Sequence, residues 1–313
     1  MNLSNPLPTP LGHSIGRPSS LRQALAGQKI VLAPGVFDCL SATLVERAGF
    51  GAAYITGSGI SMSMLGAPDV GLASPSEIYE RVRRICDCIT IPVIVDADTG
   101  YGGPLNVLRT VREMELAGAA GIQLEDQEWP KKCGHEPGRV IAPTAVMLDR
   151  IAAAVDARRD ANLLIIARTD ARSGSGIEAA VDRGLAFFEA GADCVFVESP
   201  ESREELIYLN ERLKGLTLVN LVEGGKTPLL NAQELRAIGF NIAIYPNALT
   251  RLFGKMGSLL LASLHETGET KAFHDRMLNH RELFDLFGYK DWIELERRLS
   301  VNTLQHNKPN GAV

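Results

Sequence analysis

The stretch Ala190-Gly191-Ala192-Asp193-Cys194-Val195-Phe196-Val197-Glu198 contains the unit that decides the fold. A predicted helix ends at its glycine, which can adopt the left-handed conformation that closes a helix. The run from Cys194 to Val197 is continuously apolar, as expected of a strand buried on both faces. It ends at the carboxylate of Glu198. The unit therefore predicts a helix, a glycine cap, a parallel strand and a polar strand end.

The same helix-ending glycine precedes alternate predicted strands along the chain. Its other occurrences are Ala48-Gly49-Phe50, Ala117-Gly118-Ala119 and Ile238-Gly239-Phe240. In all, eight short apolar strands alternate with helical segments, at residues 30–33, 53–56, 93–97, 121–125, 163–167, 194–198, 217–221 and 242–245. Eight such regular units predict an α/β protein with a (β/α)8 barrel rather than a doubly wound sheet.

The chain is predicted to have three parts. Residues 1–20, rich in Pro, Ser and Gly, are expected to form a flexible N-terminal tail, and residues 21–262 the barrel. Residues 263–313 are predicted to be a C-terminal helical segment, with helices at 259–265, 269–287 and 290–299. This is more helix than one barrel needs, so a neighbouring subunit is the expected packing partner.

Composition limits the classes of function. The 313 residues carry a net charge of -5 and no basic run, which argues against a nucleic-acid partner. An apolar run of 18 residues is lacking, so we expect no membrane span. Five cysteines form an odd set without framework spacing, which is typical of a reducing cytoplasm. We therefore expect a cytoplasmic enzyme acting on a small molecule.

Polar side chains follow almost every predicted strand, at the end where barrel enzymes hold their chemistry. Asp96 and Asp98 precede a glycine-rich turn, and carboxylates of this kind suit a hard cation such as Mg²⁺. Asp38 and Asp170 could instead cap the following helices. The remaining polar strand-end residues are Thr56, Ser58, Glu125, Asp126, Arg168, Glu198, Asn220, Glu223, Asn247 and Arg251.

Arg168 ends an apolar strand, where a guanidinium is expected to clamp a substrate carboxylate. A structural salt bridge to Glu198 or Asp170 is the alternative. The turn Thr56-Gly57-Ser58-Gly59 offers hydroxyl groups and close backbone amides that can hold a carboxylate.

The loop Lys131-Lys132-Cys133-Gly134-His135 places a thiol beside two ammonium groups and an imidazole. Cationic neighbours lower a thiol pKa, so Cys133 is predicted to be a general acid-base group. An inert thiol or a zinc ligand is the alternative, although zinc needs more Cys and His than Cys133 and His135 supply. His135 is predicted either to orient the loop or a substrate carboxylate, or to be structural.

In these motifs the sequence resembles the isocitrate lyase/phosphoenolpyruvate mutase superfamily. The resemblance covers about residues 21–300, and the matching pieces are the segments 54–59, 65–69, 96–102, 123–127, 131–135, 167–171 and 220–223. Each piece alone is weak evidence, whereas their combination is specific. The resemblance implies a barrel whose C-terminal helix is swapped between subunits, in a homotetramer built as a dimer of dimers.

The resemblance also implies residue roles. Mg²⁺, or Mn²⁺ in its place, would be held directly by Asp98, with Asp96, Asp69 and Glu125 acting through water. The substrate-binding residues would be Thr56, Gly57, Ser58, Gly134, His135, Arg168, Glu198, Asn220 and Arg251. Cys133 would protonate the departing carbon, and Tyr54 or a nearby group would be the base.

The cysteine loop is typical of the lyase branch, so the resemblance implies a carbon–carbon lyase (oxo-acid-lyase). The segment Glu223-Gly224-Gly225-Lys226-Thr227-Pro228 is more like enzymes of 2,3-dimethylmalate and other 2-alkylmalates than methylisocitrate lyases, which have an aromatic residue at the position of Gly225. Methylisocitrate lyase and oxaloacetate hydrolase or decarboxylase remain alternatives. A phosphate-binding barrel using Gly224-Gly225-Lys226 is a remote alternative.

Overall fold

The computed structural model describes residues 17–134, 136 and 138–306 of the chain. The described residues belong to two compact units, of which one ends at Leu252 and the other begins at Phe253. The predicted tail lies largely outside the described residues, and its last positions, 17–20, form the first turn of a helix. His135 and Pro137 also lie outside them.

The first unit is a closed barrel of eight parallel strands in sequential order, which confirms the predicted (β/α)8 fold. β8 pairs with β1 and closes the sheet, with Ile242 opposite Val31. The strands are β1 Val31–Val36, β2 Ala53–Ile55, β3 Val93–Asp96, β4 Gly121–Glu125, β5 Leu164–Thr169, β6 Cys194–Val197, β7 Leu216–Asn220 and β8 Ile242–Tyr245.

Helices cover the outside of this sheet and continue into the second unit. A π-helical turn at Ser61–Leu65 and a 3-10 helix at Lys271–Arg276 interrupt the series. The α-helices are α1 Arg17–Ala26, α2 Cys39–Arg47, α3 Gly57–Ile60, α4 Pro75–Cys88, α5 Pro104–Leu116, α6 Thr144–Ala157, α7 Arg172–Glu189, α8 Arg203–Arg212, α9 Ala232–Ile238, α10 Ala248–Thr267, α11 His280–Leu286 and α12 Tyr289–His306.

The repeated glycines behave as the sequence predicts. Gly49, Gly118, Gly191 and Gly239 all have positive φ, between 84° and 121°, just after α2, α5, α7 and α9. A residue with a Cβ is disfavoured in this conformation, so glycine ends the helix and turns the chain into the next strand.

β1 extends three residues beyond the predicted end at residue 33. Gly35 explains the difference, because a Cβ at this position would lie 1.9 Å from the carbonyl oxygen of Pro246. Glycine lets the backbone of β1 pass the end of β8 at a distance that no other residue permits.

The lower part of the barrel interior is filled with apolar side chains. Leu21 of α1 contacts this layer from below the strands, and both it and Leu164 are fully buried. The strand residues of this layer are Val31, Ala33, Tyr54, Ile94, Leu164, Ile166, Cys194, Phe196, Leu218, Ile242 and Ile244. A larger apolar cluster lies between the strands and the surrounding helices.

The second unit is helical, but its elements differ from the prediction. A single helix over residues 269–287 was expected, whereas a 3-10 helix ends at Arg276 and α11 begins only at His280. Asn279 causes the break, because its side chain accepts a hydrogen bond from the backbone N–H of Glu282 and starts a new helix. None of the helices in the described part of the chain is long and apolar enough to cross a membrane.

Candidate active site

Charged and polar side chains form the upper layer of the barrel interior, two residues beyond the apolar layer on the same strands. Side chains alternate along a strand, so positions two apart point to the same face. Asp96 follows Ile94 on β3, Arg168 follows Ile166 on β5, and both are at least nine-tenths buried. Glu125, Glu198 and Asn220 occupy corresponding positions at the ends of β4, β6 and β7.

Arg168 is the centre of the charged layer. Its guanidinium donates two hydrogen bonds of 2.9 Å to Asp170 and lies 3.2 Å from Glu125 and 3.5 Å from Glu198. The ring of Phe196 lies beneath it, 5.3 Å from the guanidinium carbon. Burial lowers the pKa of Arg168, but the three carboxylates outweigh that effect and hold the pKa well above its usual value. Arg168 therefore makes both salt bridges that the sequence offered as alternatives, one to Asp170 and one to Glu198.

Three of the predicted metal ligands, Asp69, Asp96 and Asp98, lie near a buried lysine. Lys131 is buried, and its ammonium group lies 2.5 Å from Asp98 and 2.5 Å from Asp69. Asp98 itself has a φ of 48°, and its backbone N–H donates to Asp96 over 3.2 Å. Asp69, which is distant in sequence, thus lies close to Asp96 and Asp98.

Burial controls the electrostatics of these acids. It raises the pKa of Asp98 to about 6, against the lowering effect of Lys131 and with further raising by Asp96 and Asp69. Burial likewise raises the pKa of Glu125 well above its usual value, although Arg168 opposes it. The neighbouring acids favour an added cation near a buried carboxylate, whereas the lysine partly satisfies the same charge.

Tyr54 is part of a hydrogen-bonded chain that ends at Asp96. Its hydroxyl donates to Oε1 of Gln123 over 2.9 Å, and Nε2 of Gln123 donates to Asp96 over 3.1 Å. Burial raises the pKa of Tyr54 well above its usual value, and Asp96 adds to the effect. A neutral phenol whose proton is already donated to Gln123 cannot accept a proton from a substrate. This geometry argues against Tyr54 as the base.

The Thr56-Gly57-Ser58 turn forms a short helix above β2, beside the acids. Thr56 caps this helix by accepting a hydrogen bond from the backbone N–H of Gly59 over 3.3 Å. Gly57 lies against the acids, since a Cβ there would be 3.4 Å from Oδ2 of Asp96. The hydroxyl of Ser58 accepts from Asn247 over 3.3 Å. The turn is buried and faces the predicted metal ligands.

The loop that carries Cys133 lies over the charged layer. The side chain of Gln127 binds both the N–H and the carbonyl of Lys132, at 3.0 and 2.9 Å, and so fixes the start of the loop. Gly134 is packed so closely that a Cβ would lie 2.4 Å from Nη2 of Arg168 and 2.7 Å from Oε2 of Glu198. Cys133, the neighbour of Gly134, is half-buried. The predicted role of His135 falls on a residue outside those described.

Two predicted substrate residues differ in their surroundings. Asn220 is buried and donates to Glu198 over 3.1 Å, within the charged layer. Arg251 is exposed, and its ion pair is with Glu223 at 2.9 Å. Since the Arg251 side chain is solvated and already paired, the structure places it at the rim rather than among the buried groups.

Sequence reasoning missed three residues of the site. Lys131 was considered only as a neighbour of the thiol, whereas its ammonium group forms ion pairs with Asp98 and Asp69. Gln123 lies inside a strand and links Tyr54 to Asp96. Ser199 has a φ of 60°, is fully buried, and donates to the carbonyl of Gly134 over 3.2 Å. The adjacent Glu198 was the only sequence signal for Ser199.

Comparison with known proteins agrees with this architecture. Residues 21–261 match the phosphoenolpyruvate phosphomutase family. The chain is 48% identical to 2,3-dimethylmalate lyase of Eubacterium barkeri over 283 residues, covering 90% of this chain and 98% of that protein. It is 43% identical to 2-methylisocitrate lyase of Aeropyrum pernix over 291 residues, covering 92% and 94%.

Solved structures give the same result. Oxaloacetate acetylhydrolase in complex with 3,3-difluorooxalacetate superposes with a TM-score of 0.86 and 33% identity, covering 92% of this chain and 99% of that one. A phosphonopyruvate hydrolase complex with oxalate and Mg²⁺ gives a TM-score of 0.81 and 30% identity, covering 91% and 99%. A crystal structure of 2,3-dimethylmalate lyase, described as a member of the PEP mutase/isocitrate lyase superfamily, gives 0.85 and 35%, covering 91% and 96%. The chain therefore belongs to the PEP mutase/isocitrate lyase superfamily, as its motifs predict.

Proposed function

We propose that the protein is a Mg²⁺-dependent carbon–carbon lyase that cleaves a 2-alkylmalate, such as 2,3-dimethylmalate, into a 2-oxoacid and a second carboxylate. The observation that carries the proposal is the seating of the Cys133 loop over Arg168 and Glu198, with buried acids beside them. The 48% identity to a 2,3-dimethylmalate lyase supports the choice of substrate.

The residues at the mouth fit a divalent cation. Among the described residues, Oε1 of Glu125 is a buried oxygen that accepts no hydrogen bond, while Oδ1 of Asp98 is paired with the Lys131 ammonium at 2.5 Å. The Lys131 ammonium lies where a cation would balance Asp98 and Asp69. No three acidic, His or Cys side chains in the described chain form a complete metal cluster, so water and substrate would supply the other ligands.

The bound cation, Mg²⁺ or Mn²⁺, would be held by Asp98, with Asp96, Asp69 and Glu125 acting through water. It supplies Lewis-acid stabilisation of the negative charge that develops on the 2-oxoacid product. Gly57 lies beside the same acids, so the amides of the turn that begins at Thr56 would face a substrate carboxylate held there.

The residues of the chain perform the remaining steps. Arg168, together with Thr56, Gly57 and Ser58, holds the carboxylate next to the 2-hydroxyl group. A base removes the hydroxyl proton, the bond between C2 and C3 breaks, and its electron pair remains on C3. Cys133 gives its proton to C3 and releases the second carboxylate. Glu198, Asn220 and Gly134 line the end of the site where that carboxylate would lie.

Two features of the site bear on which groups act as the base and as the proton donor. Tyr54 orients Asp96 through Gln123 and is not assigned the base role, since its proton is donated and its pKa is raised. The seated loop covers the mouth, so the carbanion at C3 would meet the Cys133 thiol before it meets bulk water. Exclusion of water in this way prevents unproductive protonation.

The experiment that tests the function is a substrate panel. Release of 2-oxoacid from 2,3-dimethylmalate, other 2-alkylmalates, methylisocitrate and citramalate, and of oxalate or pyruvate from oxaloacetate, is measured with and without Mg²⁺. The highest kcat/KM is expected for a 2-alkylmalate, with loss of turnover in EDTA. Absence of turnover on the whole panel, with tight binding of a sugar phosphate, would support the phosphate-binding barrel instead.

A second candidate function is that of a 2-methylisocitrate lyase. It is favoured by the 43% identity to the Aeropyrum pernix enzyme of that name. The segment 223–228, which resembles the enzymes of 2-alkylmalates, and the 48% identity to a 2,3-dimethylmalate lyase argue for the 2-alkylmalate instead. The same panel separates the two, because methylisocitrate would yield pyruvate and succinate at the higher kcat/KM if this alternative held.

We further propose a cytoplasmic homotetramer, a dimer of dimers, in which residues 263–313 pack on a neighbouring copy. Large apolar side chains of the second unit support it: Phe253 is 72% exposed, Leu261 64% and Trp292 49%. Exposure on this scale marks a surface that another protein covers. Sedimentation velocity should give a tetramer, and a clean monomer at micromolar concentration would contradict the proposal.

A metal-affinity measurement tests the Mg²⁺ site apart from turnover. Asp98→Ala is expected to weaken Mg²⁺ binding by at least about 100-fold in isothermal titration, because it removes the only direct protein ligand. Asp149→Ala, an exposed acid on α6, serves as the matched control and should bind as the unaltered protein does. Equal affinities in the two variants would contradict the assignment of Asp98.

A further inference from the structure

Two thiols that play no part in the proposed reaction lie against each other on the outside of the barrel. Cys39 is the first residue of α2, and Cys88 is the last residue of α4. Cys88 Sγ donates to the carbonyl of Cys39 over 3.9 Å, and Cys39 Sγ donates to the carbonyl of Arg84 over 3.5 Å. The two thiol groups are also close enough for the pKa of each to depend on the other.

We propose that Cys39 and Cys88 are a redox-active pair that is oxidised to a disulfide by peroxides or small disulfides. The proposal is independent of the lyase activity. It rests on the contact between the two half-buried thiols, which the packing of α2 on α4 holds together. A second packing contact fixes the same helices, since Oε1 of Glu46 accepts hydrogen bonds from the backbone and side chain of Thr90.

The environment divides the pair into an attacking thiol and a resolving thiol. Cys39 lies at a helix N-terminus, where backbone N–H groups favour the thiolate. The hydrogen bond from Cys88 lowers the pKa of Cys39 to about 7, against the raising effect of burial. The same hydrogen bond raises the pKa of Cys88, which stays protonated. Arg81 and Arg84 add positive charge near Cys39.

The chemistry is balanced without any group from the active site. The Cys39 thiolate attacks a peroxide oxygen, the O–O bond breaks, and the products are a sulfenic acid and hydroxide. The Cys88 sulfur then attacks the Cys39 sulfur, the S–O bond breaks, and its oxygen leaves as water with the thiol proton. Two thiols are oxidised and one peroxide is reduced. With a small disulfide as oxidant, two small thiols leave instead.

The other cysteines serve as internal references. Cys86 and Cys194 are buried, and burial raises the pKa of each thiol, to about 12 for Cys86. They are therefore expected to react with neither peroxide nor alkylating reagents in the folded protein. Cys86 is separated from Cys88 by one residue but points into the core, so it makes a close control for Cys88.

The test is oxidation of the full-length protein with hydrogen peroxide, followed by alkylation, trypsin digestion without reductant and mass spectrometry. The expected product joins the tryptic peptides 30–47 and 85–109, with loss of two of the five thiols and recovery by dithiothreitol. Cys88→Ser should abolish the cross-link, whereas Cys86→Ala should retain it. In the unoxidised protein, Cys39 should be alkylated at pH 7 at least about tenfold faster than Cys194.

Several results would overturn the proposal. One is recovery of both peptides unlinked at peroxide concentrations that oxidise Cys133. Another is a link from Cys39 to Cys86 or Cys133, or a cross-link that persists in Cys88→Ser. Because these readouts are covalent masses, they do not depend on whether the protein cleaves a 2-alkylmalate.

Discussion

The lower and upper layers of the barrel interior are built by the same strands and differ completely in chemistry. On β5, Leu164 and Ile166 face inward in the lower layer, and Arg168 faces inward two residues later. On β3 and β6 the same step leads from Ile94 to Asp96 and from Phe196 to Glu198. A shift of two residues along a strand is enough to pass from apolar core to buried charge.

The two layers have different roles: the lower layer stabilises the fold, and the upper layer supplies the groups for catalysis. The lower layer stabilises the folded protein because it removes apolar surface from water. The upper layer buries charges, whose desolvation opposes their mutual attraction, so it contributes little net stability. Groups of this kind with shifted pKa values are typical of catalytic sites. Substitutions in the upper layer should therefore affect turnover, and substitutions in the lower layer should affect the free energy of unfolding.

The largest effect is expected from Cys133→Ser, above the upper layer. A hydroxyl is a much weaker acid than a thiol, so loss of proton transfer to the carbanion should lower kcat by about 10²–10⁴-fold. Steady-state kinetics on the best substrate of the panel measures this, and binding of oxalate tests whether the site survives. Cys39→Ser, which changes a half-buried thiol on the outside of the barrel, is the control under reducing conditions. Near-normal cleavage by Cys133→Ser would remove the thiol from the mechanism.

The next effect belongs to the lower layer. Leu164→Ala truncates a fully buried side chain on a strand residue that is paired with Gly121 of β4, and should lower the free energy of unfolding by about 2–5 kcal/mol. Denaturant unfolding followed by circular dichroism measures the change. Leu164→Met conserves volume and should cost less than about 1.5 kcal/mol. If Leu164→Ala instead lowered kcat and left stability unchanged, the division of the two layers would be wrong.

The sequence predicts the upper layer well where position alone decides it. Asp96, Arg168 and Glu198 follow apolar runs, and the alternation of a strand then fixes the direction in which they point. Lys131 could not be placed in this way, because its partner Asp69 is 62 residues away in sequence. The choice between Asp170 and Glu198 as the partner of Arg168 also depends on side-chain geometry, and both contacts are made.

The helical prediction succeeds and fails for comparable reasons. Helix ends at positive-φ glycines, such as Gly191, follow from a local requirement of the backbone and are correct. The break before α11 also has a local signal, since Asn279 and Glu282 form a capping box, which the predicted continuous helix over residues 269–287 did not take into account. Ser199 is different, because its hydrogen bond to Gly134 exists only when the loop is seated.

An intermediate effect should come from the contact between the loop and the upper layer. A methyl group in Gly134→Ala would overlap Arg168 and Glu198, which are held by other buried charges, so the loop could not lie as it does here. We expect kcat/KM to fall by roughly 10–100-fold, as for other small displacements of catalytic groups. Gly174→Ala, in a helix with open space around it, is the control.

Limited proteolysis distinguishes an unseated loop from a local defect in Gly134→Ala. Trypsin should cut after Lys131 or Lys132 faster in this variant than in the unaltered protein, because Lys131 leaves its buried ion pairs when the loop opens. Equal cleavage rates together with unchanged kcat/KM would show that the tight packing at Gly134 has no role in the reaction.

The smallest effect is expected from Ser74→Ala. This variant tests whether a residue at the mouth end of the barrel can contribute to stability without affecting catalysis. Ser74 caps α4, accepting a hydrogen bond from the backbone N–H of Glu77, while the Glu77 carboxylate accepts from the backbone N–H of Ser74 at 2.8 Å. Ser74→Ala should cost about 1 kcal/mol of unfolding free energy. Ser76→Ala, exposed in the same turn, should cost less than about 0.5 kcal/mol.

Both variants should keep normal kcat, since neither side chain belongs to the buried charged layer. A fall in kcat for Ser74→Ala alone would mean that the start of α4 positions the neighbouring Asp69 segment, and would extend the catalytic region beyond the barrel interior.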